Sequence, residues 1–288
     1  MFEGSYTAIV TPFRADGSID FEALDRHVEF QIEGGVTGLV PVGTTGESPT
    51  LNFDDHHAVI ERVIKTADKR VKVIAGTGGN STEEALELTA HARDAGADGT
   101  LQVTPYYNKP TDRGLTNHFA AVADLGLPVM LYNVPGRSGI PIPLDVVVEL
   151  AAHEHVAAVK EAAGSVGRVS QILDRCELDV LSGDDPLTLP MMIVGAVGVV
   201  SVASNVVPAV VSNMVKLASL NMWQDAAAIH REFYPLFSGL FMETNPIPVK
   251  TALAMMGQME ESFRLPMCPL SDESRVKLRG LLETYELI

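Results

Sequence analysis

An α/β fold, a (β/α)8 TIM barrel with a C-terminal helical extension, is predicted by three features of the 288-residue sequence. Short runs rich in Val, Ile and Leu recur eight times, about every 20 to 35 residues, each followed by a polar segment of helical period. Eight strands with eight crossovers suit a closed barrel. An open doubly wound sheet usually carries a GxGxxG turn after its first strand, and here that strand runs into "TPF" (11–13). After about residue 208 the strand signals stop, and Leu, Met, Ala and aromatic residues continue at helical spacing.

The predicted strands are "YTAIV" (6–10), "GLVPV" (38–42), "VKVIA" (71–75), "GTLQV" (99–103), "PVMLY" (128–132), "VAAVK" (156–160), "DVLSG" (179–183) and "GVVSV" (197–201). Behind the first, Phe21, Leu24, Val28 and Ile32 share one helical face, Asp20 stands at the N-cap, and Gly34-Gly35 supplies the stop. The stretch "STEEALELTAHARDAG" (81–96) opens with Ser81 three residues before Glu84, a capping box, and closes at Gly96. The barrel is expected over 1–207, with its last crossover helices running to about 224. Residues 225–288 are expected to form a helical domain, interrupted at Pro246, Pro248, Pro266 and Pro269.

Lys and Arg number 21 against 37 Asp and Glu, a formal charge of −16 that repels nucleic acid and anionic membranes. A small anionic substrate therefore needs a local cation. No apolar run reaches membrane-spanning length, and "MFEGSYTAIV" has neither a basic n-region nor a signal-type core, so a cytoplasmic location is expected. Cys176 and Cys268 lie far apart, without CxxC or Cys/His spacing. Free thiols with packing roles are expected, not a zinc site or a disulfide.

A barrel of this kind carries its active site at the C-terminal ends of the strands. That confines the search to "TPF", "GTTGE", "GTGGN", "TPYYN", "NVPGR", "KEAAG", "GDD" and "SVASN". Lys160 ends the sixth strand. A strand-terminal lysine commonly just reaches solvent. Burial in an apolar mouth, however, favours the neutral amine, which condenses with a carbonyl to an imine. The imine is an electron sink for class I aldolase chemistry, and no metal or other cofactor is required. Tyr132, at the end of the fifth strand, packs in the plain reading and shuttles protons in the functional one. The hydroxyls of Thr44 and Thr45 suit a small carboxylate and a proton chain. Arg137 is the one arginine among these strings, and its planar fork fits a carboxylate. The loops "GDDPLT" and "SVASNV" lack a glycine-rich phosphate cradle, which disfavours a phosphorylated substrate. His56-His57 is expected to be a pair of exposed polar residues at a helix start, not a metal site.

With "GTTGES" (43–48), "TPYYNKP" (104–110), "YNVPGRSG" (132–139), "VKEA" (159–162), "SGDD" (182–185) and "NPIPVK" (245–250) in this order, the chain resembles the dihydrodipicolinate synthase family. These 4-hydroxy-tetrahydrodipicolinate synthases sit in the pyruvate-dependent, Schiff-base aldolase superfamily with N-acetylneuraminate lyase. The likeness runs from "GSYTAIVTPF" (4–13) to "RLPMCPL" (264–270). It implies a cytoplasmic lyase condensing pyruvate with L-aspartate 4-semialdehyde in lysine and diaminopimelate biosynthesis. Lys160 is then the imine-forming residue. Tyr132 is the proton donor and acceptor, linked through Thr44 to Tyr107, which this family takes from the neighbouring subunit. Thr45 and the backbone at Gly183 and Val200 line the pyruvate pocket, and Arg137 receives the semialdehyde's carboxylate. The resemblance also implies a homotetramer, a dimer of dimers. Feedback inhibition by L-lysine follows from it too, at a site matching Ser48, Pro49, His56, Asn80, Glu84 and Tyr106. Two departures stand out. Phe53 replaces a histidine common in lysine-sensitive relatives, and "KEAAGS" (160–165) replaces "KEATGD", changing the second substrate's surroundings at Ala163 and Ser165.

Two other functions share parts of this pattern. A sister pyruvate aldolase acting on a 2-keto-3-deoxy sugar acid or N-acetylneuraminate shares the imine but needs a polyol pocket. A catalytically silent, amino-acid-sensing barrel needs only the acids and amides near residues 80 to 84.

Overall fold

The computed structural model describes residues 2–288. Strands β1 (Gly4–Ala8), β2 (Gly38–Val40), β3 (Lys72–Gly76), β4 (Gly99–Val103), β5 (Val129–Asn133), β6 (Val156–Glu161), β7 (Asp179–Ser182) and β8 (Gly198–Ser201) pair in chain order. All pairings are parallel, and β8 returns to β1 to close the predicted barrel. The closing seam is tight. A Cβ on Gly198 would stand 1.9 Å from the Gly4 carbonyl oxygen, so no side chain fits there.

Successive residues of a strand point to opposite faces. Tyr6, Val40, Ile74, Leu101, Met130, Ala158, Leu181 and Val200 fill the barrel interior, and Phe2, edge-on to Tyr6 at 6.4 Å, joins the same core. Val129, Leu131, Val159, Val180 and Val199 face outward onto the helices. These are α1 (Phe21–Glu33), α2 (Phe53–Ala67), α3 (Thr82–Asp94), α4 (Asp112–Ala123), α5 (Pro135–Ser138), α6 (Leu144–Ala151), α7 (Val166–Leu173), α8 (Thr188–Ile193) and α9 (Pro208–Ser219). Three more, α10 (Trp223–Gly239), α11 (Ile247–Met255) and α12 (Asp272–Thr284), follow the last strand.

The predicted ends of two helices are present. Asp20 Oδ1 accepts from Glu22 N at 3.1 Å and Ala23 N at 3.0 Å, and α1 stops at Gly34. Ser81 Oγ accepts from Glu84 N at 3.4 Å, the forward half of the capping box.

Two strands end earlier than their apolar runs. β1 gives way at Ala8 because the Asn205 side chain takes over, donating to Ala8 O at 2.8 Å and accepting from Val10 N at 3.2 Å. β2 stops before Pro41, which has no N–H to offer a ladder, and Val42 turns to φ +56°. Both cysteines are free thiols, but only Cys176 packs against the core; Cys268 is exposed, contrary to the expected packing role.

α9 packs on β1 and β8 as the last outer helix of the barrel, and α10 and α11 reach the loops at the C-terminal ends of the strands. α10 packs on α9 and on the turn 185–187 that follows β7, and α11 packs on the turn 203–205 that follows β8. Leu236, Phe237, Val249, Leu253 and Leu278 share one apolar core with Leu189 and Met191 of α8. No helix among the described residues is long and apolar enough to cross a membrane.

Candidate active site

Two positions beyond Ala158, the alternation that buries that residue also turns Lys160 into the barrel, where it is 6% exposed. Tyr132 occupies the matching place on β5, and the two residues are register partners. Lys160 Nζ lies 4.2 Å from the centroid of the Tyr132 ring. Gly183, directly after β7, leaves room for the lysine arm. A Cβ there would stand 3.0 Å from Lys160 Cε and 2.7 Å from Ala162 Cβ.

Lys160 and Tyr132 open into a cavity of about 410 Å³, together with Thr44, Thr45, Arg137 and Gly183. Thr45 is buried, and its Oγ1 accepts from Asn245 Nδ2 at 3.0 Å. Arg137 Nη2 donates to the Asn245 carbonyl oxygen at 3.0 Å. One asparagine from the segment after α10 therefore ties the threonine turn to the arginine. Its own Oδ1 is buried without a partner in that cavity. Val200 lies beneath, in the barrel core, and Val202 is the residue of that strand end that lines the cavity.

An amine beside a phenol, two hydroxyls and a guanidinium can bind a small carbonyl acid and move protons about it. Arg137 supplies the local cation that a chain of charge −16 needs for an anion. The family model described as the dihydrodipicolinate synthetase family matches residues 1–285.

The chain belongs to the dihydrodipicolinate synthetase family.

A 4-hydroxy-tetrahydrodipicolinate synthase from Geotalea uraniireducens is 50% identical over 291 residues, covering 100% of both chains. The chloride-inhibited dihydrodipicolinate synthase from Acinetobacter baumannii, solved in complex with pyruvate, is 43% identical, covers 100% of each chain and superposes with a TM-score of 0.98. The enzyme from Cyanidioschyzon merolae, solved with lysine bound, is 37% identical, covers 100% of this chain and 99% of its own, and has a TM-score of 0.96. The family fold and class thus apply: this is a lyase of the class I aldolase type on a TIM barrel.

Other anticipated positions of this family member are distributed unevenly. Ser48, Pro49 and Tyr106 line a second cavity of about 220 Å³ that also reaches Thr44 and Tyr132. Asn80 Nδ2 donates to the Tyr106 carbonyl oxygen at 3.2 Å. Burial and the nearby Glu84 carboxylate push the Tyr106 phenol pKa up. His56 departs from expectation: it is buried, and Nε2 meets the Gly76 carbonyl oxygen at 2.9 Å. Its position on the inward face of α2 overrides the exposed reading of a polar pair. Tyr107 stands apart from Tyr132 and Thr44, 91% exposed and at φ +71°.

Several residues that shape the site carried no signal of their own. Asp185 is buried, accepting from Ser201 Oγ at 2.5 Å, Val202 N at 3.0 Å and Ala203 N at 2.9 Å, which fixes the loop after β8. Burial pushes its carboxyl pKa up. Glu161, beside the lysine, is likewise buried with a raised pKa, and is held by Asn133. The letters of "SGDD" and "NPIPVK" are legible, but not which partners they find across the fold.

Proposed function

We propose that the chain is a 4-hydroxy-tetrahydrodipicolinate synthase that works through an imine on Lys160. The observation carrying this reading is the buried Lys160 amine, 4.2 Å from the Tyr132 ring centroid in a cavity shared with Arg137 and Thr45. Full-length relatives bearing that name support it, as does the relative solved with pyruvate. Lys160 Nζ attacks the keto carbon of pyruvate and water leaves, giving the imine. The methyl group then loses a proton to form an enamine, whose carbon attacks the aldehyde of L-aspartate 4-semialdehyde. Tyr132 carries protons, with Thr44 extending the chain toward Tyr107 of the partner subunit. Thr45 and the backbone at Gly183 and Val200 surround pyruvate, and Arg137 takes the semialdehyde's carboxylate. The product feeds lysine and diaminopimelate synthesis.

The same reading includes a cytoplasmic homotetramer, and the outward Tyr107 supports a neighbouring subunit as its destination. Feedback by L-lysine is part of it, supported by the lysine-bound relative and by the grouping of Ser48, Pro49 and Tyr106. Phe53, exposed and 6.3 Å from the His57 ring, weakens that response relative to a histidine.

Incubation with pyruvate and borohydride tests the central step, and mass analysis is expected to find a reduced pyruvyl group on Lys160. In a coupled assay with both substrates, Lys160→Ala loses at least roughly a thousandfold, because the covalent route is gone. An unmodified Lys160 would overturn the reading. Cleavage of a 2-keto-3-deoxy sugar acid in preference to semialdehyde consumption would transfer the imine to a sister aldolase.

A further inference from the structure

Lys250 on α11 is fully buried, yet it carries an ammonium group whose Nζ lies 2.5 Å from Glu47 Oε1, itself buried. The rings of Phe13 and Phe263 flank that nitrogen at 4.3 Å and 5.1 Å. Glu47 Oε2 also accepts from Arg264 N at 3.2 Å. Removing two full charges from water is costly, and apolar residues of the same volume commonly serve stability as well or better. A buried pair in such a place points to a geometric task.

The location defines that task. Glu47 directly follows Thr44, Thr45 and Gly46, and it holds a left-handed backbone, φ 57° and ψ 36°, where a side chain is disfavoured. Residues 245–250 grip this turn twice: Asn245 reaches Thr45 Oγ1, and Lys250 reaches Glu47. We propose that the Glu47–Lys250 pair is a positioning device that holds the turn at 43–47 so that Thr44 and Thr45 face bound pyruvate. The proposal rests on the synthase reading given above. Neither charge touches substrate; both act through the turn.

The test uses the full-length double variant Glu47→Leu/Lys250→Met, which removes both charges and leaves none unpaired. It is expected to remain folded, with a melting temperature near the parent's, while KM for pyruvate rises roughly tenfold or more and KM for the semialdehyde stays unchanged. Borohydride labelling of Lys160 persists at saturating pyruvate. A general loss of fold would instead lower the active fraction without this split. Glu47→Gln, measured beside it, keeps the side chain's shape and an acceptor for Lys250 but leaves that charge unmatched, and is expected to lower the melting temperature while raising KM for pyruvate in the same direction. A folded double variant with the parent's KM for pyruvate would overturn the proposal. So would failure of both variants to fold, since the pair would then serve stability. A parent protein with no condensation activity would sink the synthase reading itself.

Discussion

Asn133 and Glu161 face each other on β5 and β6, one register step beyond Tyr132 and Lys160, with Asn133 Nδ2 donating at 3.0 Å and 2.8 Å to the two carboxylate oxygens. Glu161 also accepts from Ala163 N at 2.8 Å. The pair stitches the two strands together on the face away from the cavity, immediately past the residues that meet inside it. Glu161→Ala leaves the buried Asn133 amide without its partner and breaks the bond from the Ala163 N–H. We predict a loss of about 3 kcal/mol in denaturant unfolding. Glu161→Gln, which keeps one acceptor, is predicted to lose less; equal losses would argue against the hydrogen bonds as the cause.

Gly183 gives the second prediction. A methyl group there meets Lys160 Cε at 3.0 Å and Ala162 Cβ at 2.7 Å, so the lysine arm or β7 must shift. Gly183→Ala is expected to slow imine formation by at least about tenfold, since small displacements of a reacting group carry large rate effects. Rapid borohydride quenching at set times after mixing with pyruvate reads this directly. A variant that labels Lys160 at the parent's rate would show that the arm has room to spare.

His56 governs a third prediction, one of pH. Burial lowers its pKa from 6.5 to about 4, with the neighbouring His57 and His91 adding smaller repulsions. The neutral ring is the form the fold accepts. Its contribution is therefore complete above pH 6.5 and is lost as pH falls toward 4, amounting to about 3 kcal/mol across that window. Unfolding free energies at several pH values should fall more steeply for the parent than for His56→Gln. Parallel slopes would contradict the assignment.

The placement of Lys160 and Tyr132 was legible in the sequence because both lie on regular strands. Once eight apolar runs define a barrel, Lys160 and Tyr132 fall at neighbouring strand ends by position alone, and the structure pairs them. Period two then fixes which side chains point inward, a rule that needs no long-range information. Legibility failed where tertiary partners decide. Nothing local announces that Asn205 interrupts β1, that Gly76 claims the ring of His56, or that Asn245 reaches Thr45 across 200 residues of chain. Tyr107 shows a different limit: its neighbours in the sequence do not announce that its ring stands 91% exposed, away from the cavity that holds Tyr132.

The Asn245–Thr45 bond has a consequence for biosynthesis. All eight strands can be complete on a growing polypeptide while the pocket still lacks its tie between Thr45 and Arg137, because that tie arrives only with residue 245. A nascent chain that has exposed the barrel alone carries Lys160 in a cavity whose wall is still unfinished. The completed cavity thus waits on a segment made well after the last strand.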